Sequence, residues 1–245
     1  MESQFKKAFD EFVIKEYSTE LPESKKARAE LAKTGDLDKA LNSFPSGLGY
    51  ERTMIKYLLD NPKDYEGAIY HLPKYLIKLL ISSFQSYLFN KMVSLRIHQG
   101  NSLQKPVTGD VFSILEEENG NITQIKHTYG GFYDEYLQEA SKLNRAKIVI
   151  PLVGYNTDLD EFPYMKNLIL EIIKNDRISL NIFKNKLLEK YDFKGSFRPI
   201  IVKPVGLKIL EYAKDDFFPD RYKMKIEFSL QKGCYATLLL REIIK

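Results

Sequence analysis

The segment RYKMKIEFSLQKGCYATLLLREIIK, residues 221–245, combines a strand, a turn and a helix in one short stretch. Apolar and charged residues alternate from Tyr222 to Phe228, which predicts a β-strand with two different faces. Gly233 marks a turn, and the apolar residues after it predict a helix. The charged face of the strand is largely basic and carries Arg221, Lys223 and Lys225. The segment therefore predicts a protein of both sheet and helix, with an apolar strand face packed over a core.

The composition of the whole chain is that of a globular protein. Its 245 residues are 44% apolar and 13% aromatic, enough to fill a substantial core. The single cysteine excludes a disulfide framework. Three histidines scattered along the sequence do not supply the clustered ligands of a zinc or iron–sulfur site. We therefore expect no structural metal.

Charge and hydropathy predict a soluble, cytoplasmic protein. The first residues, MESQFKKAFDEF, are charged where a signal peptide needs an apolar run. The longest apolar stretch, residues 76–97, is interrupted by lysine, arginine and amide side chains, so it predicts an amphipathic or buried helix rather than a membrane span. A net charge of +4 and a pI near 8.8 are compatible with an anionic partner but do not require one.

The N-terminal part of the chain predicts helices separated by breaks at residues 34–36 and 61–62. A longer helix follows Pro73. Its apolar stripe consists of Ile77, Leu80, Ile81, Phe84, Leu88, Met92 and Leu95. The opposite face, which we expect in solvent, carries Lys78, Gln85, Lys91 and Arg96.

After about residue 106 the pattern changes to a period of two. Strands at residues 111–115 and 122–127 are expected to form a hairpin around Asn119-Gly120. A buried strand at residues 146–154 and further helices follow, and the last fifty or so residues return to strands. The simplest organisation is a discontinuous α+β domain, interrupted by an inserted α/β module between about residues 105 and 198.

The residues alone give weak indications of chemistry. No nucleophile elbow and no phosphate-binding glycine loop is recognisable. The stretch YNTDLDEF, residues 155–162, lacks the glycine and distal glutamate of a calcium loop and predicts a solvated loop or helix start. The basic strand face, with Tyr222 and Phe228 beside it, fits contacts to RNA phosphates and bases, but it equally fits a solvated face over a core.

Five collinear segments resemble the TruD family of tRNA pseudouridine synthases. They are SSFQSYLFNKMVSLRI (82–97), GDVFSIL (109–115), IPLVGYNT (150–157), FRPIIVKP (197–204) and FSLQKGCYATLLLREI (228–243). The last looks like the family block Phe-x-Leu-Pro-Lys-Gly-Ser-Tyr/Phe-Ala-Thr. The helical region before residue 74 is similar to that of the archaeal-type members.

The resemblance implies both a fold and an activity. The fold is a pseudouridine-synthase-like catalytic domain, present only in part, as residues 1–104 and 199–245, with an inserted TRUD domain at residues 105–198. The activity is isomerisation of uridine to pseudouridine in tRNA without a cofactor, by an aspartate that acts at the ribose of a uridine moved out of its stack.

The sequence departs from the family in one serious respect. The catalytic aspartate of the family lies in a Gly-x-Lys-Asp block, and that block does not occur in these 245 residues. We therefore assign no catalytic residue, and Asp64 of NPKDYEG is not given that role. Gln231 replaces the usual proline and Cys234 the usual serine, so we expect a less rigid turn because the fixed φ of proline is lost.

The resemblance assigns part of the substrate site to this chain. The residues expected to border the uridine pocket are Phe228, Lys232, Gly233 and Tyr235. The candidates for RNA contact are Arg221, Lys223 and Lys225. A helix under the active site, with a scaffolding role, is matched by Phe84, Gln85, Tyr87 and Asn90. For Phe228 a simple core position remains an alternative.

Three hypotheses follow for the chain as a whole. The first is the C-terminal two-thirds of a TruD-type synthase, completed by an upstream segment or by a second polypeptide that carries the aspartate. The second is a non-catalytic RNA-binding module derived from that family. The third is a decaying gene product that folds poorly because part of its catalytic sheet is missing.

Overall fold

The computed structural model describes residues 2–117, 120–178, 183–184, 186–231 and 233–244. The chain divides into two compact units, Met1–Ser83 and Phe84–Lys245, and the division falls inside one long helix. The domain limits expected near residues 105 and 198 stay a prediction.

The first unit is helical. Its elements are α1 (Glu2–Phe9), a π-helical turn (Asp10–Ile14), α2 (Pro22–Thr34), α3 (Leu37–Ser43), α4 (Gly49–Asp60), α5 (Tyr65–Tyr70) and the start of α6 (Lys74–His98). Gly35, at φ 65°, ends α2, and the Asp36 carboxylate accepts a hydrogen bond from the Lys39 backbone N–H to begin α3. Asp64 begins α5 in the same way, through the N–H of Gly67. These caps confirm the two helix breaks predicted from the sequence.

A buried arginine holds the first unit together. The Arg28 guanidinium donates to the carboxylates of Glu20 at 2.9 Å and Glu51 at 2.7 Å. It also donates to the carbonyl oxygens of Phe12 and Val13, at 2.7 and 2.8 Å. Because both carboxylates and both carbonyls converge on one buried cation, α2, α4 and the π-helical turn are tied together.

The second unit is built on a four-stranded antiparallel sheet in the order β2-β1-β3-β4. The strands are β1 (Val111–Leu115), β2 (Ile122–Thr128), β3 (Ala146–Leu152) and β4 (Ser196–Pro199). The hairpin expected from the sequence is confirmed, since Val111 pairs with Thr128 and Leu115 with Ile122. Asn119, expected in its turn, lies outside the described residues.

Helices occur in the chain between the strands of this sheet. They are α7 (Glu135–Lys142), α8 (Pro163–Asn175) and α9 (Lys186–Lys190), with 3₁₀ turns at Phe132–Asp134 and Leu159–Glu161. Two neighbouring residues of β3 belong to different cores: Ile148 packs in a cluster with Leu137 of α7, and Val149 in one with Ile169 of α8. Opposite side-chain directions along a strand explain this separation. The central sheet is therefore buried on both faces.

Arg96 corrects an expectation from the sequence. Periodicity assigned it to the solvent face of α6, but its side chain is fully buried and forms two hydrogen bonds, at 2.6 and 2.8 Å, with the carboxylate of Asp110. Its remaining donors reach the carbonyl oxygens of Ser102 and Lys105. The segment between α6 and β1 supplies all these acceptors, so it covers a helix face that periodicity alone leaves open to water.

The C-terminal elements form a separate two-stranded antiparallel sheet and a helix. They are β5 (Val205–Lys214), β6 (Tyr222–Ser229) and α10 (Ala236–Ile243). The apolar face of β6 is only partly covered: Tyr222 is 61% and Met224 42% exposed, whereas Ile226 and Phe228 are half-buried. Large apolar residues of the other two elements are exposed as well, among them Ile209, Tyr212, Leu238 and Leu240.

Candidate functional site

The turn after β6 is the part of the expected site with the most defined geometry. Gly233 has φ 89°, a value that side-chain-bearing residues rarely adopt. Its carbonyl oxygen accepts a hydrogen bond from Nη1 of Arg198 at 3.2 Å. A β-carbon at Gly233 would lie 3.2 Å from that guanidinium, so backbone and neighbour both favour glycine here. Lys232, expected beside it, lies outside the described residues.

Gln231 takes part in fixing this turn. Its side-chain amide donates to the carbonyl oxygen of Gly120, in the connection between β1 and β2, at 2.7 Å. The backbone N–H of Cys234 donates to the carbonyl of Gln231 at 3.1 Å and closes the turn. The glutamine that replaces the family's proline thus supplies a tertiary hydrogen bond that proline lacks the donors to make.

The two expected aromatic residues lie on either side of this turn. Phe228 is half-buried near the end of β6, and Tyr235 is 59% exposed where α10 begins. Within the described part of the chain, neither ring has an aromatic partner. The Tyr235 ring is therefore accessible, whereas the Phe228 ring is accessible only in part.

The basic residues of β6 do not form an unpaired cationic stripe. Lys223 donates to Asp216 at 2.7 Å and lies 3.5 Å from a carboxylate oxygen of Glu211. The hydrogen bond that Lys223 donates to Asp216 is the main reason that the pKa of Lys223 is raised. Lys225 is opposite Glu211 in the strand pairing, and the Arg221 guanidinium lies 5.2 Å from the ring centre of Phe218. Charges of both signs thus share this surface.

The expected scaffold residues of α6 do make structural contacts. Gln85 donates to the carbonyl of Val153, just after β3, at 2.9 Å. Tyr87 Oη donates to Asp176 at 2.7 Å, and Lys91 Nζ does so at 3.0 Å. These two hydrogen bonds lower the pKa of Asp176 below its ordinary value. Asn90 is exposed on the same helix.

Two cations near the turn were missed by reasoning from the sequence. Arg198 of β4 holds the carbonyl of Gly233. Burial lowers the pKa of Lys147 of β3, and Cys234 acts in the opposite direction. The available signal was the position of each charge inside an otherwise apolar strand, AKIVIPL and SFRPII. Such a charge predicts a special environment but does not identify its partner.

The described residues contain no cluster of three or more histidine, cysteine, aspartate or glutamate side chains that could hold a metal ion. Asp158 caps the 3₁₀ turn that follows it, which confirms the helix-start interpretation of YNTDLDEF. Over the ranges that the structure describes, no helix is both long and apolar enough to cross a membrane.

Comparison with known proteins covers nearly the whole chain. The family model for tRNA pseudouridine synthase D (TruD) matches residues 1–243. A protein named "Probable tRNA pseudouridine synthase D" from Methanosarcina acetivorans is 32% identical over all of this chain and 55% of its own length. One of the same name from Thermococcus sibiricus is 33% identical over 89% of this chain and 49% of its own length.

The fold comparison agrees with the sequence comparison. A crystal structure of a protein from Methanosarcina mazei that carries the TruD name matches with a TM-score of 0.81 and 31% identity. The match covers 98% of this chain and 55% of that one. The chain thus spans about half the length of the curated relatives that it matches.

Proposed function

Because the chain belongs to the TruD family of tRNA pseudouridine synthases, we propose that it forms part of an enzyme that converts uridine to pseudouridine in tRNA. The observation that carries this proposal is the match of the family model over residues 1–243. The α+β fold, which agrees with a solved TruD structure, supports it.

The proposed reaction balances without a cofactor. The bond between uracil N1 and ribose C1′ breaks, a bond from uracil C5 to C1′ forms, C5 loses a proton and N1 gains one. The family uses an aspartate at the ribose, in a Gly-x-Lys-Asp block that these 245 residues do not contain. We therefore place the reacting carboxylate in the portion of the relatives that this chain does not match.

The role that we propose for this chain is one wall of the uridine pocket. Phe228 and Tyr235 present aromatic faces on which a displaced base stacks. Gly233 lets the backbone approach the base closely, and Arg198 fixes its carbonyl. Lys232 belongs to the same family block. The residues Arg221, Lys223 and Lys225 stay candidates for RNA contact.

The exposed apolar surface of β5, β6 and α10 supports a second element of the proposal. A two-stranded sheet is marginal by itself, and its edges readily pair with further strands. We propose that the remainder of the synthase covers this surface. In the relatives that remainder belongs to the same polypeptide as the matched part, which favours a contiguous segment over a second polypeptide.

A module that binds RNA without chemistry is the alternative function. The observation that favours it is that Tyr222 and Lys225 of β6 are both exposed, as residues that contact RNA bases and phosphates are. The two functions differ in whether pseudouridine forms in tRNA when the portion of the relatives that this chain does not match is supplied.

The test is complementation. The chain is incubated with an unmodified tRNA transcript, alone and together with the fragment of the Methanosarcina acetivorans relative that this chain does not match. Pseudouridine is then mapped by carbodiimide modification and primer extension. We expect none from the chain alone and formation in the mixture. The intact relative is the positive control.

Either of two results would contradict the proposal. Turnover by the isolated chain would show that its own residues supply the nucleophile. A mixture that forms a complex yet leaves the tRNA unmodified, while the intact relative modifies it, would favour the non-catalytic module.

A further inference from the structure

A cleft of about 550 Å³ lies in the second unit. Its walls are the segment before β1, the end of α7, β3 and the residues after β4. Four of its lining residues are lysines, Lys105, Lys142, Lys147 and Lys203. No aspartate or glutamate is among the described residues that line it, so the cleft has one sign of charge.

Three of these lysines have no carboxylate partner among the described residues. Lys142 pairs with Glu139, but no ion pair within 4.0 Å involves Lys105, Lys147 or Lys203. Lys203 donates to the side-chain oxygen of Asn144 at 3.3 Å, a neutral partner that leaves its charge uncompensated. Uncompensated cations around one cleft attract an anion.

Lys147 has the least favourable surroundings for its own charge. Burial is the main cause that lowers the pKa of Lys147, and the charge of Lys203 acts in the same direction. Cys234 alone opposes them. A bound anion would stabilise the ammonium form of Lys147 and offset the repulsion from Lys203.

The wall that carries Lys105 is fixed before any ligand arrives. Ser102 Oγ accepts hydrogen bonds from the backbone N–H groups of Gln104 and Lys105, at 3.0 and 3.1 Å. The carbonyl of Lys105 accepts from the buried guanidinium of Arg96. The backbone at Lys105 is therefore held by its neighbours rather than by a bound molecule.

The uncharged lining indicates what kind of anion fits. Gln104, Ser141 and Asn144 offer hydrogen-bonding groups between the lysines, and Ile148 and Ile200 provide apolar surface. A small inorganic anion would use the charges alone. An RNA backbone would use the lysines through its phosphates, the hydrogen-bonding groups through its ribose hydroxyls, and the apolar surface through its ribose carbons.

We propose that this cleft binds the sugar-phosphate backbone of RNA, with Lys147 and Lys203 as the principal phosphate contacts and Lys105 as a further contact. The inference rests on the proposed function for the presence of an RNA substrate. The site is additional to the uridine pocket, since none of the described residues assigned to that pocket lines the cleft.

The test compares the salt dependence of RNA binding between the parent chain and its lysine variants. A fluorescent tRNA transcript and a short single-stranded RNA are titrated with the full chain, Lys147→Gln, Lys203→Gln and the double variant. Lys174→Gln, an exposed lysine of α8, is the matched control. Each lost phosphate contact lowers the log–log salt slope by about 0.7 for single strands, so the double variant loses about 1.4. We expect the control to keep the slope of the parent chain.

A second variant and a chemical readout guard against a simple folding defect. Lys147→Arg keeps the charge, so we expect it to retain the parent slope. Acetylation of the parent chain, followed by mass spectrometry, should show that the RNA protects Lys147 and Lys203 but not Lys174. We expect pyrophosphate alone, at the same phosphate concentration, to protect neither lysine, because it lacks the ribose groups.

Several outcomes overturn the inference. They are an absence of RNA binding by the parent chain at low salt, an unchanged slope in the double variant, equal loss in Lys174→Gln, and protection by pyrophosphate equal to that by RNA. Failure of the proposed function appears elsewhere, in the complementation assay. A complemented enzyme that forms no pseudouridine, but whose RNA binding still depends on Lys147 and Lys203, would reject the enzymatic role and retain the cleft.

Discussion

The Arg96–Asp110 pair is the residue-scale feature with the largest expected effect on stability. Both side chains are fully buried, and Asp110 also accepts a hydrogen bond from the backbone N–H of Val107 at 2.8 Å. Removing one partner would leave an uncompensated charge without access to water, which is far more costly than the pair is favourable. The pair therefore fixes the segment between α6 and β1.

We expect Asp110→Asn to lower the free energy of unfolding of the second unit by roughly 3–5 kcal/mol. Urea unfolding followed by tyrosine fluorescence measures it. Arg241→Lys, at an exposed arginine of α10, is the control and should change little. The double change Arg96→Met with Asp110→Leu should be less damaging than Asp110→Asn alone. A loss below about 1 kcal/mol for Asp110→Asn would contradict a buried, uncompensated charge.

Single residues also show where the sequence was informative. Gly35 and Asp36 carry local signals, a left-handed cap and a side-chain acceptor, and the structure places a helix end and a helix start there. Arg96 carries no local signal, because its partner Asp110 is distant in sequence and only the folded segment brings them together. Gly233 was expected in a turn, yet the guanidinium that meets it comes from β4.

At the scale of elements, Asp176 joins two helices. It ends α8, where a negative charge is unfavourable beside the negative end of the helix dipole. Tyr87 and Lys91 of α6 offset this by donating to its carboxylate, at 2.7 and 3.0 Å. The interaction favours the ionised form and lowers the pKa of Asp176 below its ordinary value of 3.8.

This lowered pKa predicts a pH dependence of stability. A group whose pKa is lower in the folded than in the unfolded protein stabilises the fold above the unfolded pKa and loses that contribution as the pH falls through the folded pKa. We expect Asp176→Asn to lower the Tm at about pH 7 and to reduce the further loss between about pH 4 and pH 2. Calorimetry across this range, with Asp220→Asn as the exposed control, tests it. Parallel acid profiles for the parent chain and Asp176→Asn would refute the assignment.

Elements differed in how far the sequence could define them. The strands of the β1–β2 hairpin were predictable because a period of two and a turn signal agree over the same residues. The environment of β6 was not. Alternation correctly showed that one face is apolar, but the face is only partly covered in this chain, and no local pattern says which element is to cover it.

At the scale of the whole molecule, apolar exposure is concentrated in the C-terminal elements. Ile209 and Tyr212 of β5 are each 67% exposed, and Tyr212 stacks on Tyr222 of β6 with ring centres 5.2 Å apart. Large exposed apolar patches mark interaction surfaces. The chain also spans only 55% of the length of a relative that matches all of it. Both observations support the proposal that the remaining part of the synthase buries this surface.

The exposed apolar surface of β5, β6 and α10 predicts that a charge placed on it will impair complementation. Ile209→Lys places a charge on the exposed face of β5, where in the chain alone it meets water and should leave the Tm nearly unchanged. In the complemented enzyme the same charge would be buried without a partner. We therefore expect pseudouridine formation at limiting fragment concentration to fall about tenfold or more. A tenfold loss corresponds to a weakening of about 1.4 kcal/mol in the association between this chain and the fragment. Leu143→Lys, an equally exposed position after α7, is the matched control and should complement normally. Normal complementation by Ile209→Lys would place the contact with the remainder of the synthase elsewhere.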